Sequence, residues 1–213
     1  ETKKGLININ DNIEVVNHAI NINEYKKKEI NNINLNKKLQ KFIYLGQFIE
    51  RKNLNYIFSF LEKNKNLNIE VYFAGEGRMK KDIIYLSKTD KRVKFVGYMN
   101  KIQIKQELKN FDYLLLPSKE EPFGIVIIEA LAAGVPCIVS SALGPKEIIQ
   151  GKNIGFVFDK DNYYDFEKKM YEAINIDHNK YFEYCKNAIN ESKKYDTNYI
   201  IYKWINLFEK TKE

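Results

Sequence analysis

The sequence is short of the residues that build metal centres, disulfide frameworks and thiol or imidazole catalysis. Its 213 residues include only two cysteines, Cys137 and Cys185, and two histidines, His18 and His178. Two widely spaced cysteines make neither a disulfide framework nor a CxxC site, so a reducing, cytoplasmic setting is the expectation. Neither histidine stands in a ligand motif, which argues against a zinc site and against a Cys/His nucleophilic pair. Long apolar runs are missing too. Mean hydropathy is −0.49, and no stretch approaches the roughly 18 uncharged apolar residues of a membrane span. Glu1-Thr2-Lys3-Lys4 leads into Asn-rich sequence, not into an apolar leader. No transmembrane span is therefore expected.

Arginine is scarce as well, confined to Arg51, Arg78 and Arg92. The net charge of +7 is carried almost wholly by lysine. Readers of base edges and phosphates favour the planar, bidentate arginine fork. Here the lysines are interleaved with Asp and Glu, and no block forms a basic arm, so a nucleic-acid partner is not expected. What the chain does have is core material. Hydrophobic residues make up 44% and aromatics 14%, enough for one large domain or two small ones. Asn, Lys, Ile and Tyr crowd the sequence, and against that bias Gly, Pro and Ala become informative. All four prolines (Pro117, Pro122, Pro136, Pro145) fall in one short stretch with Gly97, Gly124, Gly134, Gly144, Gly151 and Gly155 around it. The clustering implies that geometry constrains this stretch.

Residues 1–40 read as a linker and leading strand region, with a short strand at 13–16, a loop at 17–19 and a surface segment over 21–40. Apolar runs at 41–46, 69–75, 93–97, 112–116, 136–140 and 155–158 are short and bounded by Gly or Pro, the form of strands in a buried parallel sheet. Between them, residues 52–65, 78–87, 101–109, 124–133 and 145–150 carry helical spacing. Helices at 163–174, 180–195 and 198–210 finish the chain, the last with Ile201, Trp204, Ile205 and Phe208 on one face. That face is expected to pack back on the sheet or to cover a second domain. Strand and helix in alternation, with short connections and right-handed crossovers, give an α/β fold: a single Rossmann-like, doubly wound parallel sheet with helices on both faces. The domain covers 41–195, and 196–213 forms a C-terminal helix. Ligands of such sheets bind beyond the carboxyl ends of the strands.

The helix at 124–133 is apolar on every side apart from Glu129. A buried carboxylate without partners costs several kcal/mol or takes up a proton. Two readings are open: a glutamate satisfied by backbone groups or a lysine, or a carboxylate kept for the hydroxyls of a ligand. Glu120-Glu121-Pro122-Phe123-Gly124 precede the helix. Pro122 suits a helix entrance, and Gly124 lets a ligand approach the backbone closely. The N–H groups of Gly124 and Ile125 point outward from an end that favours anions. Glu121 lies just outside that end and is expected to face the same pocket as Glu129. A phosphate at the amides, a diol at each carboxylate and a short link between them describe a nucleotide-sugar.

The run from Glu121 to Glu129, with seven residues between the two glutamates, resembles the mark of the family 4 retaining glycosyltransferases, whose donor-binding C-terminal domain is one half of a GT-B fold. Other features fall in the order of that family. They are Phe42 to Gly46 with Gln47, then Arg51-Lys52-Asn53; Gly75-Glu76-Gly77; Val93 to Gly97; Leu114 to Ser118; Gly134 to Ser140; and Gly144 to Ile149. The resemblance covers about residues 41–175. It implies transfer of a sugar from a nucleoside-diphosphate sugar, with UDP or GDP as the nucleotide, to an acceptor hydroxyl of a glycan or glycolipid with retention. Neither a metal nor a cofactor is implied. It assigns Lys52 to the diphosphate and Glu121 to the transferred sugar as the catalytic residues. The backbone at Phe123, Gly124 and Ile125 is assigned to the sugar or phosphates, Glu129 to the ribose diol, Gly46 and Gln47 to the donor, and Tyr98 with Met99 to the base. The family often has arginine after the strand glycine where this chain has Gln47; Arg51 is the alternative cation, or a solvated helix-start residue like its neighbour Lys52. Beginning at Glu1 in what resembles an interdomain linker, the chain is expected to lack an N-terminal acceptor domain. A non-catalytic module that binds a nucleotide or sugar is the other reading.

Overall fold

The computed structural model describes residues 18–29 and 39–210, so the strand expected at 13–16 lies outside the described residues. Six strands form one sheet: β1 (Gln40–Leu45), β2 (Ile69–Ala74), β3 (Val93–Gly97), β4 (Tyr113–Leu116), β5 (Cys137–Ser140) and β6 (Gly155–Phe158). Every pair is parallel, and the order is β3-β2-β1-β4-β5-β6. Phe42 lies opposite Tyr113, and Leu116 opposite Val139. The runs of β4 and β5 are buried on both faces, as uninterrupted apolar sequence requires.

The helices are α1 (Asn55–Lys63), α2 (Lys80–Thr89), α3 (Lys101–Glu107), α4 (Ile125–Ala132), α5 (Leu143–Ile149), α6 (Tyr163–Ile174), α7 (His178–Ser192) and α8 (Thr197–Lys210). α1 packs with α6 and α4 with α7, so both faces of the sheet are covered. Aromatic rings fill one interior, with Phe60 against Phe166 at 6.1 Å and Phe42 stacked on Tyr113 at 5.5 Å. Cys137 and Cys185 are free thiols buried within the fold. On α8, Ile201, Trp204, Ile205 and Phe208 are all exposed, and among its described residues only Ile200 is buried.

Some element boundaries differ from the periodicity, each for a local reason. The helix expected from Lys52 starts later, because a 3-10 turn at Glu50–Lys52 ends in Asn53 with φ 52°, a left-handed conformation that asparagine tolerates. α3 opens on a capping box, Asn100 with Gln103, and tightens into a 3-10 turn at Leu108–Asn110. α7 begins at His178 because the Asp177 side chain accepts the Lys180 N–H at 3.0 Å.

The largest departure is at 20–29, expected as surface. This segment is a strap laid across the domain. Ile20 exchanges backbone hydrogen bonds with Tyr195 and Thr197, Lys26 donates to the Lys105 carbonyl, and Lys28 to that of Ala133. Ile22 and Tyr25 are buried. The Lys28 ammonium enters the core and donates to the Phe111 carbonyl at 2.6 Å, Asp112 Oδ1 at 2.9 Å and the Tyr181 hydroxyl at 2.9 Å. All three of its protons are thereby used. Asp112 in turn accepts the Lys41 N–H at 2.8 Å, so the pair ties strap, sheet and α7 together. With side chains only 7% and 1% exposed, neither charge can be solvated alone.

Removing one partner of such a pair strands the other. Lys28→Met is expected to lower unfolding stability by about 3–5 kcal/mol in denaturant titrations. Adding Asp112→Asn, which removes the stranded charge but keeps an acceptor for Lys41, should recover part of the loss. A single-variant loss below about 1 kcal/mol would mean that the pair does not hold the strap.

Candidate active site

The order in which strands are added to the sheet reverses between β1 and β4: the connection from β1 runs outward to β2, that from β4 outward the other way to β5. A crevice opens beyond the carboxyl ends of strands at such a switch point. Here it holds a cavity of about 510 Å³ lined by Leu45, Gly46, Gln47, Gly75, Tyr98 and Glu129 among others. The floor depends on Gly75, which has φ 147° and whose N–H reaches the Gly97 carbonyl at 2.8 Å. A Cβ at this position would lie 1.9 Å from the Gly46 carbonyl oxygen. Only glycine therefore lets the ends of β1 and β2 close on each other.

Glu129 faces the cavity from α4. Among the described residues no lysine neutralises it by contact. Its partner is the strap: Tyr25 donates its hydroxyl to Glu129 Oε1 at 2.8 Å. Burial, together with the Glu129 charge, pushes the Tyr25 phenol up, so it stays protonated and donates. Burial also pushes the Glu129 carboxyl above the ordinary glutamate value, opposed by the Tyr25 hydrogen bond and by Lys101 and Lys105 of α3. The partner is thus neither the backbone group nor the lysine of the first sequence reading but a tyrosine hydroxyl, and Glu129 borders an open cavity.

The expected site residues separate into two groups. Gly46, Gln47, Tyr98 and Glu129 line the cavity, and Met99 with them. Lys52 and Glu121 do not line it, so the expectation that both glutamates share one pocket is corrected. The Lys52 ammonium is instead ion-paired with Glu121 Oε2, with side chains 10% and 14% exposed. The 3-10 turn presents Lys52, and the loop after β4 presents Glu121. Tyr44 lies between the groups, donating to the Gln47 carbonyl at 2.7 Å, its phenol raised by burial and by the Glu121 charge. The Arg51 guanidinium donates to the Glu120 carbonyl at 3.3 Å, and its charge partly opposes the rise of the Tyr44 phenol.

Gly124 caps α4 with φ 64° and ψ 42°, a left-handed conformation that costs glycine little. Among the described residues, nothing accepts the N–H of Ile125 or Val126, so the helix start offers free donors. Phe123 is 59% exposed beside it, edge-on to the His18 ring at 4.3 Å. Among the described residues no cluster of three or more His, Cys, Asp or Glu could hold a metal ion. Sequence reasoning missed Tyr25, since nothing in the Asn-rich segment around it has a period or a motif.

A parallel sheet in this strand order, with a carboxylate and free helix-start amides at its switch point, is the form of a Rossmann-like ligand-binding unit. The chain belongs to the family of glycosyl transferases group 1, whose sequence profile matches residues 25–195. An uncharacterised glycosyltransferase of Methanocaldococcus jannaschii is 32% identical over 152 residues, which are 66% of this chain and 39% of that protein. The sulfoquinovosyl transferase of Arabidopsis thaliana is 28% identical over 158 residues, 72% of this chain and 30% of the relative. The chain thus spans well under half the length of these two proteins. Among solved structures, Anabaena HepE in complex with UDP and glucose superposes with a TM-score of 0.75 at 20% identity, over 92% of this chain and 56% of that one. Staphylococcus aureus TarM, in a complex containing UDP, gives 0.73 at 21% identity, over 97% and 42%. The likeness shows the fold: a Rossmann-like unit of GT-B glycosyltransferases.

The raised Glu129 carboxyl has a consequence for stability. Between the ordinary value of 4.5 and its higher folded value, the folded state holds more proton than the unfolded one, so rising pH removes stability across that window. Glu129→Gln keeps the acceptor for Tyr25 and abolishes the titration. In thermal unfolding without nucleotide, the Gln variant is expected to melt above the parent at pH 7. The gap should close as pH falls to about 4.5; a gap constant from pH 4.5 to 8 contradicts the assignment.

Proposed function

We propose that this domain binds the nucleoside-diphosphate sugar of a retaining glycosyltransferase that transfers a sugar to an acceptor hydroxyl in glycan or glycolipid synthesis. The observation that carries the reading is Glu129: a partly buried carboxylate on an otherwise apolar helix, turned to a cavity of nucleotide size and paired with a hydroxyl, not a cation. A ribose diol offers the donors that such a carboxylate lacks. Tyr98 and Met99 border the same cavity on the side opened by the β3–α3 loop, which suits the base.

The diphosphate then runs from Gly46 and Gln47 toward the start of α4 and Lys52. There the free N–H groups and the ammonium oppose the negative charge that grows as the nucleoside diphosphate departs. Lys52 has three protons and shares one with Glu121, leaving two for phosphate oxygens. Glu121, kept next to Lys52, takes hydroxyls of the transferred sugar, with the backbone at Phe123, Gly124 and Ile125 as the opposite wall. The acceptor side belongs to a second Rossmann-like domain across the cleft, in keeping with relatives about twice the length of this chain. Among the described residues no helix is long and apolar enough to cross a membrane, and the reading places the reaction at the cytoplasmic face with peripheral attachment.

Calorimetric titration with UDP and GDP tests the reading on this chain. One of the two is expected to bind, and Lys52→Ala to weaken it about ten- to a hundredfold, the range for a hydrogen bond to a charged group. The loss should be accompanied by a shallower dependence of affinity on salt. Binding of neither nucleotide, or an unchanged affinity and salt slope in Lys52→Ala, would remove the diphosphate assignment.

A further inference from the structure

The strap does more than cover the sheet. Four backbone hydrogen bonds fix it: Ile20 to Tyr195, Thr197 to Ile20, Lys26 to Lys105 and Lys28 to Ala133, at 2.9–3.0 Å. The Lys28–Asp112 pair anchors it a further time, three residues beyond Tyr25. Tyr25 itself is 6% exposed, so its ring has no room to swing. The hydroxyl therefore arrives at Glu129 Oε1 from a rigid support, while among the described residues nothing donates to Oε2. A carboxylate has about four lone-pair sites; this arrangement fills one, and among the described residues those of Oε2 are left without a donor on a residue that lines the cavity.

We propose that Tyr25 is a positioning residue for donor binding: from the strap, its hydroxyl fixes the Glu129 carboxylate so that Oε2 is presented to the ribose diol of the nucleotide. The proposal rests on the donor-site reading above. Without the hydroxyl, Glu129 would be free to change rotamer and would sit in an apolar wall with no neutral donor. Burial would then favour its protonated form, which is a poorer acceptor for a diol. The charged groups around the carboxylate are Lys101 and Lys105 on α3 and Glu24 on the strap, the last ion-paired with Lys105. They are unaffected by removing one hydroxyl from Tyr25, which isolates the hydrogen bond as the variable.

The test compares UDP or GDP, whichever binds, across Tyr25→Phe, Glu129→Gln and the double variant, by calorimetry from pH 5 to 8. Thermal unfolding checks that each variant is folded. Tyr25→Phe is expected to weaken binding about tenfold at pH 7 and to move the acid-side midpoint of binding to higher pH. Titration of the nucleotide phosphate is common to all proteins and cancels in the comparison. In the Glu129→Gln background, Tyr25→Phe should add less than about twofold, because the two residues act as one unit. If Glu129→Gln weakens binding while Tyr25→Phe moves neither affinity nor midpoint, or if the two losses simply add, the positioning role is overturned and the donor site stands. If Glu129→Gln leaves affinity unchanged, the donor-site assignment itself falls.

Discussion

A carboxylate placed on a helix that is apolar everywhere else has to be satisfied without a cation close by, and the structure around the crevice follows from that constraint. The partner it receives is a phenol, neutral at any working pH, which steadies the charge and does not cancel it. To deliver the phenol, an irregular segment has to lie across the domain and be pinned there. The pinning uses a lysine whose three protons are all bound inside the core. The chain of dependence runs from Lys28 and Asp112, through the strap, to Tyr25 and Glu129, and so to the wall of the cavity.

The second charged pair obeys a different logic. Lys52 and Glu121 neutralise each other, one presented by the 3-10 turn after β1 and the other by the loop that leads into α4. Pairing lowers the cost of holding each charge out of water, and it also fixes the ammonium in one place before any ligand arrives. A preorganised cation needs little rearrangement when negative charge develops next to it, which is the condition for electrostatic stabilisation to be effective.

Much of the fold was legible because a doubly wound sheet writes itself in a simple pattern. β4 and β5 are unbroken apolar runs bounded by proline or glycine, and they lie where expected to within a residue. α6 matches its expected limits, 163–174. The apolar helix with its single acid was legible too. What could not be read was direction. Spacing puts Glu121 and Glu129 at the two ends of one motif, but the left-handed Gly124 and the loop before it turn their side chains into different surroundings. Nor could the strap be read, since Tyr25 and Lys28 act through long-range contacts from a stretch without period, in a sequence already crowded with Tyr, Lys and Asn.

The two thiols supply the protein with an internal reporter. Cys137 opens strand β5 and Cys185 lies on α7, both sealed from solvent and both with thiols raised by burial. An electrophile in solution meets neither until that part of the molecule opens. The pace of alkylation therefore reads how often the sheet and its covering helix come apart. Ligands that quieten this breathing will register as slower labelling, without any probe being engineered into the chain.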